Sequence, residues 1–267
     1  MARSPQPGLG TKLMAFCVRD PLIYLYTAVF GTGSLLSSLF DREGRVQHWF
    51  ARTWSRFILV TAGCPLSIEG MERVDTAHPA LYCVNHLSAL DIPSLYVGLP
   101  FQFRIMAKAE LFRLPFLGWH LRRSGQISID RENARASMKS LSAGAAALKA
   151  GMPLVAFPEG GRSIDGMVQP FLGGVFYMAI KAQVPIVPMA LVGTFEALPM
   201  NHYVIAPHAF RLVVGEPIST EGYVARDMEK LSAVVREAIE NLYYPRAHVA
   251  DPRKVPATQG PELIANT

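Results

Sequence analysis

A histidine followed five residues later by an aspartate is the sharpest chemical feature of this chain. It lies in Asn85-His86-Leu87-Ser88-Ala89-Leu90-Asp91, directly after an apolar run ending at Val84. Imidazole titrates nearest neutrality among the side chains, so it can take a proton from a hydroxyl and later release it. Asp91 is spaced to accept the other ring N–H, fixing the tautomer and stabilising the imidazolium as it forms. The same residues admit a structural reading. Ser88 and Asp91 fit a capping box, with serine at the N-cap and the carboxylate at the third position, so that Asp91 would only start a helix.

A second stretch, Phe157-Pro158-Glu159-Gly160-Gly161-Arg162-Ser163, also ends an apolar run. Gly160 and Gly161 free the backbone for a tight turn. Such a turn exposes main-chain N–H groups, and Arg162 adds a planar fork of donors matched to a phosphate. Glu159 is expected to hold Arg162 or another cation in place; a surface turn with a solvated arginine is the alternative. A third stretch runs from Lys108, just after a predicted strand, to Asp130-Arg131, which closes a short one. Lys108 and Arg131 could converge with Arg162 on one phosphate, although solvation is the commoner fate of a single surface cation. In Val184-Pro185-Ile186-Val187-Pro188 two prolines within an apolar strand imply an edge or wall position without chemistry of its own.

The elements that must position these residues follow from periodicity. Strands are predicted at 80–84, 101–107, 153–157, 184–192 and 210–214. Ala134, Met138, Leu141, Ala145 and Leu148 mark one helix, and Met228, Leu231, Val235, Ile239 and Leu242 another. This alternation implies an α/β domain over residues 63–245, built on a mixed, largely parallel sheet flanked by helices. Before it, residues 1–62 read as a flexible leader and membrane-associated helices. Pro21 to Phe40 carries no charge, and as a helix would be about 30 Å long, enough to cross a hydrocarbon core. Gly31, Gly33, Ser34, Ser37 and Ser38 allow a break and a hairpin in one leaflet instead; a buried soluble helix is the third possibility. Val46, Trp49, Phe50, Trp54, Phe57 and Ile58, interleaved with Arg45, His48, Arg52 and Arg56, form an amphipathic helix suited to a headgroup boundary or to a core face. Residues 246–267 are Pro-rich and polar and read as a loose tail.

Composition narrows the function classes. Of 267 residues, 50% are apolar and the formal charge is +5, which fits anionic lipid or phosphorylated substrates. Scattered basic residues without a nucleic-acid-binding signature disfavour nucleic acid. Cys17, Cys64 and Cys83 sit in apolar surroundings and read as buried, reduced thiols, as expected at a cytoplasmic face. With no G-x-S-x-G elbow, Ser88 is a poor nucleophile.

Taken together, the four stretches resemble the glycerolipid acyltransferase family, especially bacterial 1-acylglycerol-3-phosphate acyltransferases. The first matches the family's NHxSxxD block through Asn85, His86, Ser88 and Asp91. Lys108, Pro115, Gly118, Gly125, Ile127, Asp130 and Arg131 look like its second block, FPEGGRS like the usual FPEGTRS, and VPIVPMAL like the fourth. The resemblance implies acyl transfer from acyl-CoA or acyl-carrier protein to a lysolipid hydroxyl, giving phosphatidic acid in phospholipid biosynthesis at the cytoplasmic face of the inner membrane. It implies His86 as base, Asp91 as its partner, a phosphate clamp of Lys108, Arg131 and Arg162, and Glu159 organising the turn. It implies no metal, no resident cofactor and no covalent acyl-enzyme. Gly161 departs from the family's threonine, which leaves turn rigidity and acceptor choice open. Another lysolipid acceptor, such as a lyso-ornithine lipid, or a catalytically silent lipid-binding protein, are the alternatives.

Overall fold

Uninterrupted apolar runs, rather than alternating ones, build the centre of the sheet, because strands covered on both faces need apolar residues on both. In the computed structural model, which describes residues 8–130 and 133–254, seven strands form: β1 (Leu66–Glu69), β2 (Leu81–Val84), β3 (Arg104–Lys108), β4 (Ile127–Ile129), β5 (Leu154–Ala156), β6 (Ile186–Val192) and β7 (Phe210–Val214). Every residue of β2, β5 and β6 is buried. The strand order is β1-β7-β6-β2-β5-β3-β4. Strands β6, β2, β5, β3 and β4 are parallel, β7 is antiparallel to β6, and β1 is parallel to β7. This is the mixed, largely parallel sheet expected from the sequence.

The helices are α1 (Leu9–Met14), which continues through a π-helical stretch (Ala15–Arg19) into α2 (Asp20–Ser37), then α3 (Arg45–Ala62), α4 (Asp91–Gly98), α5 (Leu117–Arg123), α6 (Ala134–Lys149), α7 (Gly174–Ala182), α8 (Thr194–Ala197) and α9 (Met228–Tyr243). Alternation along each strand sends side chains to two faces. Leu81, Cys83, Leu154 and Ala156 meet Leu148 of α6, Phe176 and Met178 of α7, and Leu231, Val235 and Ile239 of α9. Tyr82, Val84, Val155 and Val187 meet Leu95 and Tyr96 of α4.

Three expectations need correction here. The helix does not break at Gly31 or Gly33: α2 passes through both, and Gly33 lets the Phe50 ring of α3 approach, since a Cβ there would lie 2.6 Å from it. The proline-bearing strand β6 is interior, not an edge. The Pro188 carbonyl accepts from Gly215 N on the β7 side, so the missing N–H falls where β7 has ended and the β2 side keeps its ladder. Cys17 is exposed, because it lies on a helical stretch that little else covers; Cys64 and Cys83 are buried as expected. Of the C-terminal segment, residues 246–254 dock on α9, where Arg253 bonds Asn241 and Asp251.

Candidate functional site

Because β2, β5, β3 and β4 are parallel neighbours, the segments leaving their C-terminal ends emerge on one edge of the sheet. Ligand sites of open α/β sheets form at that edge. His86 follows β2, Glu159 and Arg162 follow β5, and Lys108 ends β3. His86 thus follows the strand next to the one that leads into the Arg162 turn, and lies two strands from the one that Lys108 ends. Arg131, the remaining cation of the expected clamp, lies outside the described residues.

His86 Nδ1 lies 2.8 Å from Asp91 Oδ2, and the same oxygen accepts Leu87 N at 2.7 Å and Ser88 N at 2.8 Å. Asp91 is fully buried, and its Oδ1 has no hydrogen-bond partner among the described residues. A carboxylate accepts only, so the Nδ1–Asp91 contact fixes the proton on Nδ1 and leaves Nε2 as the lone-pair nitrogen. The imidazole stacks on Phe157 with ring centroids 4.0 Å apart and keeps 19% of its side chain exposed, so it reaches solvent. Half of the capping box forms: Asp91 Oδ2 accepts the Ser88 N–H, whereas Ser88 Oγ accepts Leu90 N rather than Asp91 N, and the same carboxylate oxygen also holds the imidazole and the Leu87 N–H at the start of α4.

Both main-chain groups of His86 are held by the glycine turn. Its N–H donates to Glu159 Oε1 at 2.7 Å, and its carbonyl accepts Ser163 N at 2.8 Å. The other Glu159 oxygen accepts Gln169 N at 2.8 Å. Glu159 therefore braces two backbone segments rather than holding Arg162, a correction that follows from its burial. Burial pushes its carboxyl up to about 8, against the opposing pull of the Gln169 and His86 N–H groups. Arg162 and Lys108 are exposed, and neither makes an ion pair among the described residues. Gly160 sits at φ 71°, a conformation natural to glycine, whereas a Cβ on Gly161 would meet nothing within 4 Å.

Further residues complete the frame. Asn85, fully buried, donates to Leu191 O and accepts from Leu191 N, tying the end of β2 to β6. Ser88 Oγ donates to Leu198 O at 2.8 Å. Sequence reasoning missed Gln169, whose amide bonds Ser163 Oγ, Asp165 Oδ1 and Met167 O; only its place a few residues after the glycine turn hinted at it. It also missed Phe157 as the ring beneath His86.

A family profile described as Acyltransferase matches residues 65–192, which run from just before β1 to the end of β6. The chloroplastic 1-acyl-sn-glycerol-3-phosphate acyltransferase of Brassica napus is 30% identical over 220 residues, covering 80% of this chain and 63% of that protein. Its chloroplastic counterpart in Arabidopsis thaliana is 33% identical over 183 residues, 67% of this chain and 51% of that protein. The human 1-acyl-sn-glycerol-3-phosphate acyltransferase beta is 28% identical over 231 residues, 83% of this chain and 82% of that protein. The chain thus spans between half and two thirds of the two plant relatives. The crystal structure of the 1-acyl-sn-glycerophosphate acyltransferase from Thermotoga maritima has the same fold, with a TM-score of 0.70 at 23% identity, covering 87% of this chain and 97% of that one.

Proposed function

Because the chain belongs to the acyltransferase family, we propose that it moves a fatty acyl group from a thioester, acyl-CoA or acyl-carrier protein, to the free hydroxyl of 1-acylglycerol-3-phosphate, giving phosphatidic acid. The observation that carries this reading is the held imidazole. Asp91 fixes its tautomer, and the Glu159 turn fixes its backbone, beside uncommitted cations at one sheet edge. His86 Nε2 takes the acceptor's hydroxyl proton as the oxygen attacks the thioester carbonyl. The tetrahedral adduct then collapses, the C–S bond breaks, and the leaving thiolate takes the proton back from the imidazolium. Asp91 stabilises that imidazolium without itself being protonated. Arg162 and Lys108, with Arg131, hold the acceptor phosphate, so that the hydroxyl is presented to the base in an effectively intramolecular step. This chemistry needs neither a metal nor a resident cofactor, since the activated acyl group arrives on the thioester.

The acceptor is a membrane lipid, and the chain has a fitting anchor. Leu9–Ser37 is long and apolar enough to cross a bilayer, with almost none of it buried. Reduced thiols suit the cytoplasmic face. The test is acyl transfer by the purified full-length chain from labelled acyl-CoA and acyl-carrier protein to lysophosphatidic acid, beside the His86→Ala variant. A general base contributes ~10²- to 10⁴-fold, so a loss of that size is expected. Full turnover in the variant would refute the mechanism, and silence of the parent with every thioester would refute the function.

A further inference from the structure

The connection between β3 and β4 carries a surface that the catalytic scheme does not use. Leu117 N–H bonds Pro115 O at 2.6 Å, closing a three-residue turn around Phe116, which stands at φ 60°, ψ −61°. That is the rarer, strained hand of γ-turn, and a phenylalanine is a poor occupant for it. Its effect is to hold Phe116 out, 68% exposed, with its ring centroid 5.2 Å from that of Trp119, itself 52% exposed. Leu111, Leu114 and Leu117 are exposed beside them. Arg113, Arg122 and Arg123 flank this apolar group, all exposed and without ion pairs among the described residues.

The opposite side of the segment is rigidly seated. Phe112 is buried, and Gly118 lies so close to the Phe112 carbonyl that a Cβ would fall 2.1 Å from it. His120 Nδ1 meets Ser34 Oγ at 2.9 Å, tying α5 to α2. The end of α2 held there exposes Leu36, and the turn after it exposes Leu39 and Phe40. The aromatic turn is therefore joined to the exposed apolar helix, and both are fixed relative to the sheet.

From this geometry we infer that Phe116 and Trp119 form a second membrane-docking element, inserting at the headgroup boundary of an anionic lipid surface while Arg113, Arg122 and Arg123 meet lipid phosphates. Aromatic rings favour that depth, and each nearby cation adds electrostatic attraction to anionic lipid. Resting on the proposed lipid acceptor for its consequence, the docked segment brings Lys108, which opens the same connection, to the level at which a lysolipid's phosphate lies. The N-terminal helix would then anchor the chain, and the Phe116 turn would set the tilt of the catalytic edge.

The experiment uses the full-length chain with Trp49→Phe and Trp54→Phe, which leaves Trp119 as its one tryptophan. It is mixed with vesicles of phosphatidylglycerol and phosphatidylcholine whose acyl chains carry bromine. Quenching of Trp119 is the expected result. Unquenched Trp119 on protein that sediments with the vesicles overturns the proposal, as does failure to bind the vesicles at all. In the otherwise native chain, Phe116→Ser with Trp119→Ser should lower partitioning onto these vesicles roughly tenfold. Transfer to vesicle-borne acceptor should fall with it, while transfer to detergent-dispersed acceptor stays as in the parent; unchanged partitioning overturns the inference. If the parent transfers no acyl group, the catalytic reading fails, and Trp119 quenching still decides the docking surface.

Discussion

The carboxylate of Glu159 grips the main chain of His86, Oε1 accepting the His86 N–H at 2.7 Å although the two residues stand 73 apart in sequence. The glycine turn and the histidine block are thus one mechanical unit. Burial holds the Glu159 carboxyl up to about 8 from an ordinary value near 4.5, so the folded protein binds more protons than the unfolded chain between those pH values. Stability should therefore be full below about pH 4.5 and fall as pH rises toward 8, by up to about 5 kcal/mol for this group. Glu159→Gln removes that part of the slope. It also sets an amide NH₂ against a backbone donor, costing roughly 1–3 kcal/mol at pH 5. Denaturant melts from pH 4.5 to 8.5 read both effects; an unchanged slope in the variant would exclude Glu159 as its source.

Asp91 separates charge from shape. Its Oδ2 receives all three donors and its Oδ1 none. An asparagine oriented with its carbonyl at the Oδ2 position keeps those hydrogen bonds, loses the negative charge, and puts its NH₂ where Oδ1 already stands without a partner among the described residues. Asp91→Asn should consequently stay folded, with a thermal midpoint within a few degrees of the parent, while kcat falls about 10²- to 10⁴-fold. Asp91→Ala should lose both activity and roughly 1–3 kcal/mol of stability, since buried N–H groups go unpaired. Equal activity of parent and Asp91→Asn would show that the carboxylate has no electrostatic part in turnover.

The two glycines of the turn should respond oppositely. Gly160, at φ 71°, penalises any Cβ, so Gly160→Ala should cost about 1–2 kcal/mol. Gly161 has open space around a Cβ and no positive φ. Gly161→Ala should therefore be neutral or stabilise by about 0.4–1 kcal/mol through the unfolded state. The threonine usual in the resembled family would place its Cβ in the same open space. Chemical denaturation of both variants provides the comparison, and a loss at Gly161 equal to that at Gly160 would contradict it.

What the sequence made legible has a physical pattern. His86, Glu159 and Lys108 were placed at strand ends because each closes or follows an apolar run, and strand β6 was visible within the apolar stretch 184–192. Its interior place was not visible, because whether proline is tolerated depends on which neighbour its missing N–H faces, a fact of pairing rather than of local pattern. The same limit hid the Asn85 bonds to Leu191, 106 residues away, and those of Glu159 to His86 and Gln169. Helix α7 went unread because its nine residues, Gly174–Ala182, are apolar nearly all round and give no amphipathic stripe. The capping-box reading of Ser88 and Asp91 was half met: Asp91 takes the Ser88 N–H as spacing alone implied, but Ser88 Oγ takes Leu90 N, and the imidazole shares the carboxylate oxygen, which spacing could not show.

The cations at the sheet edge yield the last prediction. Arg162 and Lys108 leave the first and second strands beside that of His86, exposed and without carboxylate partners among the described residues, so their donors are available to an anion. A hydrogen bond to a charged group contributes about 1.5–3 kcal/mol, so removing one should cost roughly 10- to 150-fold in kcat/KM. If the clamp serves mainly to bind, Arg162→Ala and Lys108→Ala should raise KM for lysophosphatidic acid more than they lower kcat, and the parent's affinity should fall with salt more steeply than that of the variants. Arg162→Lys should recover only part of the loss, because a point charge replaces a bidentate fork. A monoacylglycerol acceptor, which lacks the phosphate, provides the internal control: with it the parent and the two alanine variants should converge. Should the variants lose activity equally on both acceptors, these cations would serve something other than the phosphate.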